Sequence, residues 1–476
     1  MTEMSSILDS LKMKLDHLEC HFTWDIKKDE LDTDNLISRL EEQDKLDLGG
    51  DEGAARAQCS LGYVKFLLGL KEKALNHLLK SETLIRKNLG ENCDKTLIVT
   101  YGNFAWINYH MKNYTECESY LMKLQKIKET FPTEFSSVPE VLGEKGWAYL
   151  KFSCKYYDRA VEFFQKAVEL DPENSEWNAG YAIALYRIET SSRTESCTVD
   201  SPAIKQLRQA LDINPDDDVM KVLLGLKLLS CSKSLMKESE ILVENALNRS
   251  PEHTHIMRYV AMFLRNQGSV DRSIALLKKA LERSPDSGFI HHQLAICYKT
   301  KKINLQVEKK GKVEVDRARK QIIYHLEEAT SLKASFIFAM CELAFHYGES
   351  RDLLKAEEVF DKTFKTAKEK NEHLHVVHFY YAQFQLYSNR REDLAIRHYQ
   401  ECLSLAPQTI DGTRSAKKLK NIASKRLKVN QEDWEANEIL AFVYQKKGEM
   451  FESSTNISEN EENDEFLSNL CELMSL

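Results

Sequence analysis

Four prolines punctuate the middle of this 476-residue chain: Pro172, Pro215, Pro251 and Pro285. Each closes a stretch whose apolar residues recur at helical spacing. The clearest stretch runs from Gly146-Trp147-Ala148-Tyr149-Leu150-Lys151-Phe152 to Asp171-Pro172. Its pattern predicts two amphipathic helices, over 144–152 and 158–170. A pair of this size cannot bury its apolar stripe alone, so it must stack on copies of itself. Pro285 follows Pro251 by 34 residues, and the other intervals are 36 and 43. An ordinary globular core is therefore excluded in favour of a linear helical array.

Ala160 and Phe164, with Pro172 eight residues on, match the tetratricopeptide (TPR) pattern of about 34 residues. The predicted fold is all-α, a TPR superhelix or solenoid with a basic concave groove or tunnel. Residues 1–50 read as an N-terminal helical segment, with Leu8, Leu11, Leu15 and Leu18 on one stripe. Repeats one and two occupy 51–135. Repeats three to six occupy 136–290 and carry the groove. Repeats seven to nine occupy 291–410, with a basic insertion at 299–320. Residues 411–476 hold a basic helix, a degenerate last repeat and an acidic tail. Few prolines (8) and glycines (17) fit long helices joined by short turns. The fourth repeat is lengthened by a Ser/Thr-rich loop at 190–200.

The net charge of −8 means that the surface as a whole repels nucleic acid, so an anion site must be a local concentration of cations. Eleven scattered cysteines without a C-x-x-C pair fit small core residues in a reduced, cytoplasmic protein. No run of eighteen apolar residues occurs, so no membrane association is expected. Cys20-His21 lacks partners at metal spacing. The string His373, His375, His378 lacks an accompanying carboxylate or cysteine cluster. No phosphate-binding P-loop, nucleophile elbow or zinc-protease helix is present, and no enzyme is expected.

One position breaks the repeat pattern. Nine residues before Ala160, where a packing Tyr belongs, the chain has Lys151. Counting back from each proline places further cations on the same inner face of the first helices. These are Lys145, Arg187 beside Tyr186, then His255, Arg258 and Arg265, then His292 beside Gln293, and Lys299. Among these positions the acidic exception is Glu176. Guanidinium groups bind phosphate oxygens through two bonds, and aromatic rings stack on bases. The same face would also suit an acidic peptide, so a TPR adaptor gripping acidic or helical protein segments stands as the alternative. The insertion 299–320, with nine basic and three acidic residues, reads as a solvated helix face. The segment 414–428, with seven basic residues and no acidic one, reads as a phosphate contact.

These residues resemble a known family. Cys20-His21-Phe22-Thr23-Trp24, Gly102-Asn103-Phe104-Ala105-Trp106, Gly146-Trp147-Ala148, Gly180-Tyr181-Ala182-Ile183, Arg258-Tyr259, His291-His292-Gln293 and Phe442-Val443-Tyr444 are similar to the interferon-induced proteins with tetratricopeptide repeats. The resemblance covers the chain from about Leu8 onward and is closest to the member type that binds uncapped 5′-triphosphate RNA. It implies a cytoplasmic antiviral effector of innate immunity that holds the 5′ end of single-stranded viral RNA in a positively charged tunnel. The RNA end is a triphosphate or an incompletely methylated cap, and it is sequestered or barred from translation without catalysis.

The resemblance implies that Lys151, Arg187 and Tyr157 contact the 5′ phosphates and first nucleotide. Arg258, Tyr259, His292 and Gln293 would follow along the RNA, with His255 and Arg265 on the same face. Arg39 and Gln43 match N-terminal contacts. Trp147, Glu176 and Ile183 match a cap or first-base pocket, and Arg414 and Lys425 match basic positions of a late helix. Phe336 and Phe338 resemble aromatics near the tunnel. No cofactor is implied beyond a Mg2+ ion accompanying a bound triphosphate. Implied partners are RNA 5′ ends, other family members and innate-immune signalling proteins, with no DNA. Two departures stand out. His255 replaces a Tyr of one relative type, and Tyr381-Ala382-Gln383-Phe384 lacks a basic residue found in relatives.

Overall fold

The computed structural model describes residues 2–45, 50–191 and 200–448, and among them every regular element is a helix. Most of the Ser/Thr-rich loop and the acidic tail lie outside the described residues. The chain divides into two units, one running to Pro251 and the other beginning at Glu252, and each is described by itself.

In the first unit the helix Tyr157–Leu170 shows why the pattern folds as it does. Its buried residues Tyr157, Ala160, Phe164 and Ala167 recur every three to four positions and form one stripe. Phe164 is fully buried and fills the space between Pro139–Phe152 and Ser175–Ser191. That space exists because both neighbours present glycine. A Cβ on Gly146 would lie 3.0 Å from the Phe164 ring, and one on Gly180 only 2.4 Å. The remaining pairs are Gly50–Leu67 with Lys71–Leu89, Asp94–His110 with Tyr114–Thr130, Ser175–Ser191 with Pro202–Ile213, and Asp218–Cys231 with Met236–Arg249.

The N-terminal segment docks into this unit. Helix Thr2–Asp16 buries Leu11 and Leu15, and the Leu15 carbonyl accepts from Trp106 Nε1 at 3.1 Å. His21 is buried, its ring facing Tyr63 and Phe152, and its Nδ1 lies 2.8 Å from Asn103 Nδ2. Burial lowers the His21 pKa to about 3. The Cys-His-Phe-Thr-Trp string is thus an aromatic anchor.

The second unit repeats the scheme from Thr254–Asn266 to Trp434–Lys447. Its second pair, Gly288–Val307 with Lys312–Leu332, absorbs the basic insertion as extensions of both helices around a turn at 308–311. The insertion is only partly a solvated face. Lys302 is buried against Glu349 at 2.7 Å, and Lys299 reaches Glu342 at 3.1 Å. The basic helix Ile410–Val429 is no spacer: it packs on Glu392–Leu405 and on Trp434–Lys447, burying Ala416, Leu419, Ile422 and Ala423. Cys20, Cys59, Cys93, Cys117, Cys297, Cys341 and Cys402 are buried core residues, as expected, whereas Cys231 is disulfide-bonded, which departs from the expectation of reduced cysteines throughout.

Candidate nucleic-acid interface

In the first unit three helices bring the predicted cations together. Thr33–Lys45 supplies Arg39, Pro139–Phe152 supplies Trp147 and Lys151, and Ser175–Ser191 supplies Arg187. Arg39 donates through Nη2 to the Lys151 carbonyl at 2.7 Å. Arg187 donates through Nη1 to the Leu150 carbonyl at 3.0 Å and to Tyr157 Oη at 3.4 Å, with its guanidinium 5.6 Å from the Tyr157 ring centroid. Both arginines are therefore tied to consecutive carbonyls at the C-terminal end of one helix, where the backbone dipole favours cations. Tyr157 is a buried core residue whose hydroxyl and face also position Arg187. Lys151 Nζ lies 5.2 Å from the Trp147 ring centroid.

So many cations in one place cost free energy. Burial, then the fields of Arg56, Arg187 and Arg39, push the Lys151 pKa well below the usual lysine range, against Glu144. Burial and Arg187 lower the Arg39 pKa to about 10. Both shifts have the sign that an arriving anion would reverse.

Glu176 is not open in this arrangement. Arg56, on helix Gly50–Leu67, is buried and donates through Nη2 to Glu176 Oε1 and through Nη1 to Glu144 Oε1, the latter at 3.1 Å. Its guanidinium carbon lies 5.2 Å from the Trp147 ring centroid. Ile183 is partly buried and packs against the core of the unit. Gln43 lies on helix Thr33–Lys45 with its side chain outside the described residues. Lys145 is drawn away from the cluster by Glu19, at 3.2 Å.

In the second unit His255 and Tyr259 meet edge to face at 4.7 Å, and Arg258 lies 6.0 Å from the Phe289 ring. Arg265 donates to Gln293 Oε1 at 2.9 Å, and both are buried. His292 is buried with Nε2 3.2 Å from Glu342 Oε2 and its ring 4.7 Å from Phe336. Burial pushes the Glu342 carboxyl up, but Lys299 and His292 outweigh it and hold it well below the usual range. Arg414 and Lys425 share helix Ile410–Val429, eleven residues apart and so on one face. Arg426 of that helix is engaged by Glu392 and Glu435. Phe338 packs on His373, and His378 pairs with His398 at 2.9 Å. Among the described residues no group of three or more His, Cys, Asp or Glu could hold a metal.

Residues 139–174 match the tetratricopeptide-repeat family model. Over 452 residues the chain is 35% identical to the human antiviral innate immune response effector IFIT1, covering 93% of this chain and 94% of that protein. The chain belongs to the interferon-induced proteins with tetratricopeptide repeats. It is also 33% identical to human interferon-induced protein with tetratricopeptide repeats 2 over 459 residues, 93% of each chain. Among solved structures, the human IFIT1 dimer with PPP-AAAA superposes with a TM-score of 0.74 at 34% identity, covering 92% of this chain and 96% of that one. A monomeric variant of IFIT1 with Gppp-AAAA gives 0.78 at 33% identity, covering 98% and 99%.

For this member of the interferon-induced TPR family, Arg187 is the cation of the repeat register that meets the Lys151 region, Arg39 joins it from the N-terminal segment, and Lys145 turns to Glu19. Arg56 escaped that reading because it occupies an early repeat without a closing proline. One signal was available: a lone guanidinium in Ala54-Ala55-Arg56-Ala57, a run otherwise of small apolar residues. A cation buried there needs a carboxylate partner.

Proposed function

We propose that this chain is an innate antiviral effector that binds the 5′ end of single-stranded RNA, holding it without catalysing a reaction. The observation that carries the reading is the Arg39, Lys151 and Arg187 cluster around Trp147 and Tyr157. It presents three cations beside two aromatic faces, with a lysine whose ammonium is disfavoured until an anion arrives. Phosphate oxygens satisfy the cations, which the two rings help to position. Relatives solved with triphosphate-ended and capped oligonucleotides support the same ligand class. In the second unit, taken by itself, His255, Arg258, Tyr259, His292, Gln293, Arg265, Arg414 and Lys425 are assigned to RNA by their chemistry. A Mg2+ ion accompanying a triphosphate would be carried by the phosphates.

We assign the chain to the cytoplasm on its likeness to antiviral effectors of innate immunity; separately, no helix of the described residues is long and apolar enough to cross a membrane. Other family members are assigned as protein partners, in keeping with the dimeric human relative.

One short RNA carrying a 5′-triphosphate, a 5′-hydroxyl or a cap tests the reading, with wild type and Arg187→Glu at two salt concentrations. Preference for a phosphorylated or capped end, lost in the variant and weakened by salt, is expected. Equal weak binding to all three ends, indifferent to the variant, would overturn it in favour of a protein-binding adaptor.

A further inference from the structure

Recognition of an unstacked base needs an aromatic face to stack on and a polar partner for the base edge. In the first unit Trp147 and Glu176 supply that pair, an indole face and a carboxylate able to accept from the N–H donors of a guanine. One side chain of the protein already uses both. The Arg56 guanidinium lies over the Trp147 ring at 5.2 Å and donates to Glu176 while its other terminal nitrogen holds Glu144. A guanidinium is planar, stacks on aromatic rings and donates through a fork of N–H groups, so it presents to Trp147 and Glu176 much of what a guanine would.

We propose that Arg56 is a built-in occupant of the base subsite, which closes it to a capping guanine and leaves an uncapped 5′-triphosphate as the preferred RNA end. The inference rests on the RNA reading above.

Two physical features argue for it. The Arg56 side chain is 6% exposed and bridges two carboxylates, so swinging it out would break two ion pairs at once. Capped and uncapped ends both bring phosphates to the cations, but an N7-methylated guanine is itself cationic and beside Arg56 it would meet like charge. Shortening the Arg56 side chain would remove the group that now lies over the Trp147 ring and donates to Glu176.

The test measures the affinity of one single-stranded RNA with a 5′-triphosphate or an N7-methylated cap for wild type and Arg56→Ala. Wild type is expected to bind the triphosphate at least about tenfold more tightly, and Arg56→Ala to bring the two within about threefold. Because Arg56→Ala strands two acidic groups, Arg56→Ala/Glu144→Gln is run beside it, with thermal melting as the check on folding. Wild type binding both ends equally would overturn the assignment, as would a folded variant that keeps the wild-type ratio. Wild type binding neither end would instead sink the RNA reading on which the inference stands.

Discussion

The Arg39 guanidinium and the Lys151 carbonyl, 112 residues apart in sequence, are joined by a 2.7 Å hydrogen bond. This contact links the N-terminal helix to the repeat that carries the central lysine, so the cation cluster is as stable as the docking of that helix. Arg39→Ala should cost about 2 kcal/mol of stability, since a charged donor is removed from a partly buried carbonyl. It should also weaken binding of 5′-triphosphate RNA by about tenfold. Denaturant unfolding and a titration of labelled RNA check the two effects; wild-type affinity in a folded variant would place Arg39 outside the site.

Lys151 makes binding pH-dependent. Burial and neighbouring guanidiniums depress its pKa, and a bound anion would raise it again, so RNA binding should take up a proton. Affinity should then fall as pH rises from the depressed pKa of the free protein towards the higher pKa of the complex. Calorimetry in two buffers of different ionisation enthalpy measures that uptake directly, and a value of zero would contradict it.

Gly180 is a packing requirement. Its φ is unremarkable, but a methyl there would fall 2.4 Å from Phe164, whose ring meets Trp147 edge to face at 5.2 Å. Gly180→Ala should destabilise the first unit by about 1–3 kcal/mol by overpacking. Tryptophan fluorescence of Trp147 should shift in the folded variant, and an unchanged spectrum with unchanged stability would show that the helices part freely.

Glu342 holds Lys299 and His292 in the second unit, with its side chain 3% exposed. Glu342→Ala removes the buried carboxylate that Lys299 and His292 share and should cost about 3–5 kcal/mol. Chemical denaturation followed by a probe in the second unit would detect the loss, and a midpoint equal to wild type would mean that solvent already satisfies Lys299.

Acid should destabilise the fold before it titrates most carboxylates. Burial lowers His21 to about 3 and His325, His375, His378 and His398 to about 4. Unfolding releases each of them to the ordinary value near 6.5, so the unfolded chain binds more protons between those limits. Their stabilising contribution is complete above that value and is lost progressively as pH falls towards 4. The melting temperature should therefore drop between pH 7 and pH 5, and a flat profile would contradict the assignment.

The helix pairs were legible because their cause is local. The period of Tyr157, Ala160, Phe164 and Ala167 sets which face is apolar, whatever lies opposite. Lys151 and Arg187 were legible for the same reason, being cations in a register that repeats. What those cations touch was not. Arg56 meets Glu176 across 120 residues, and His292 meets Glu342 across 50. An ion pair depends on where two helices cross, and no periodicity within either helix carries that distance. The amino-acid sequence by itself therefore determined a TPR array of the interferon-induced family with cations at named positions. Only the tertiary structure decided which of them are held together around Lys151 and which are neutralised internally. The physical reason is that a buried charge is governed by its nearest opposite charge, and that neighbour is chosen by packing.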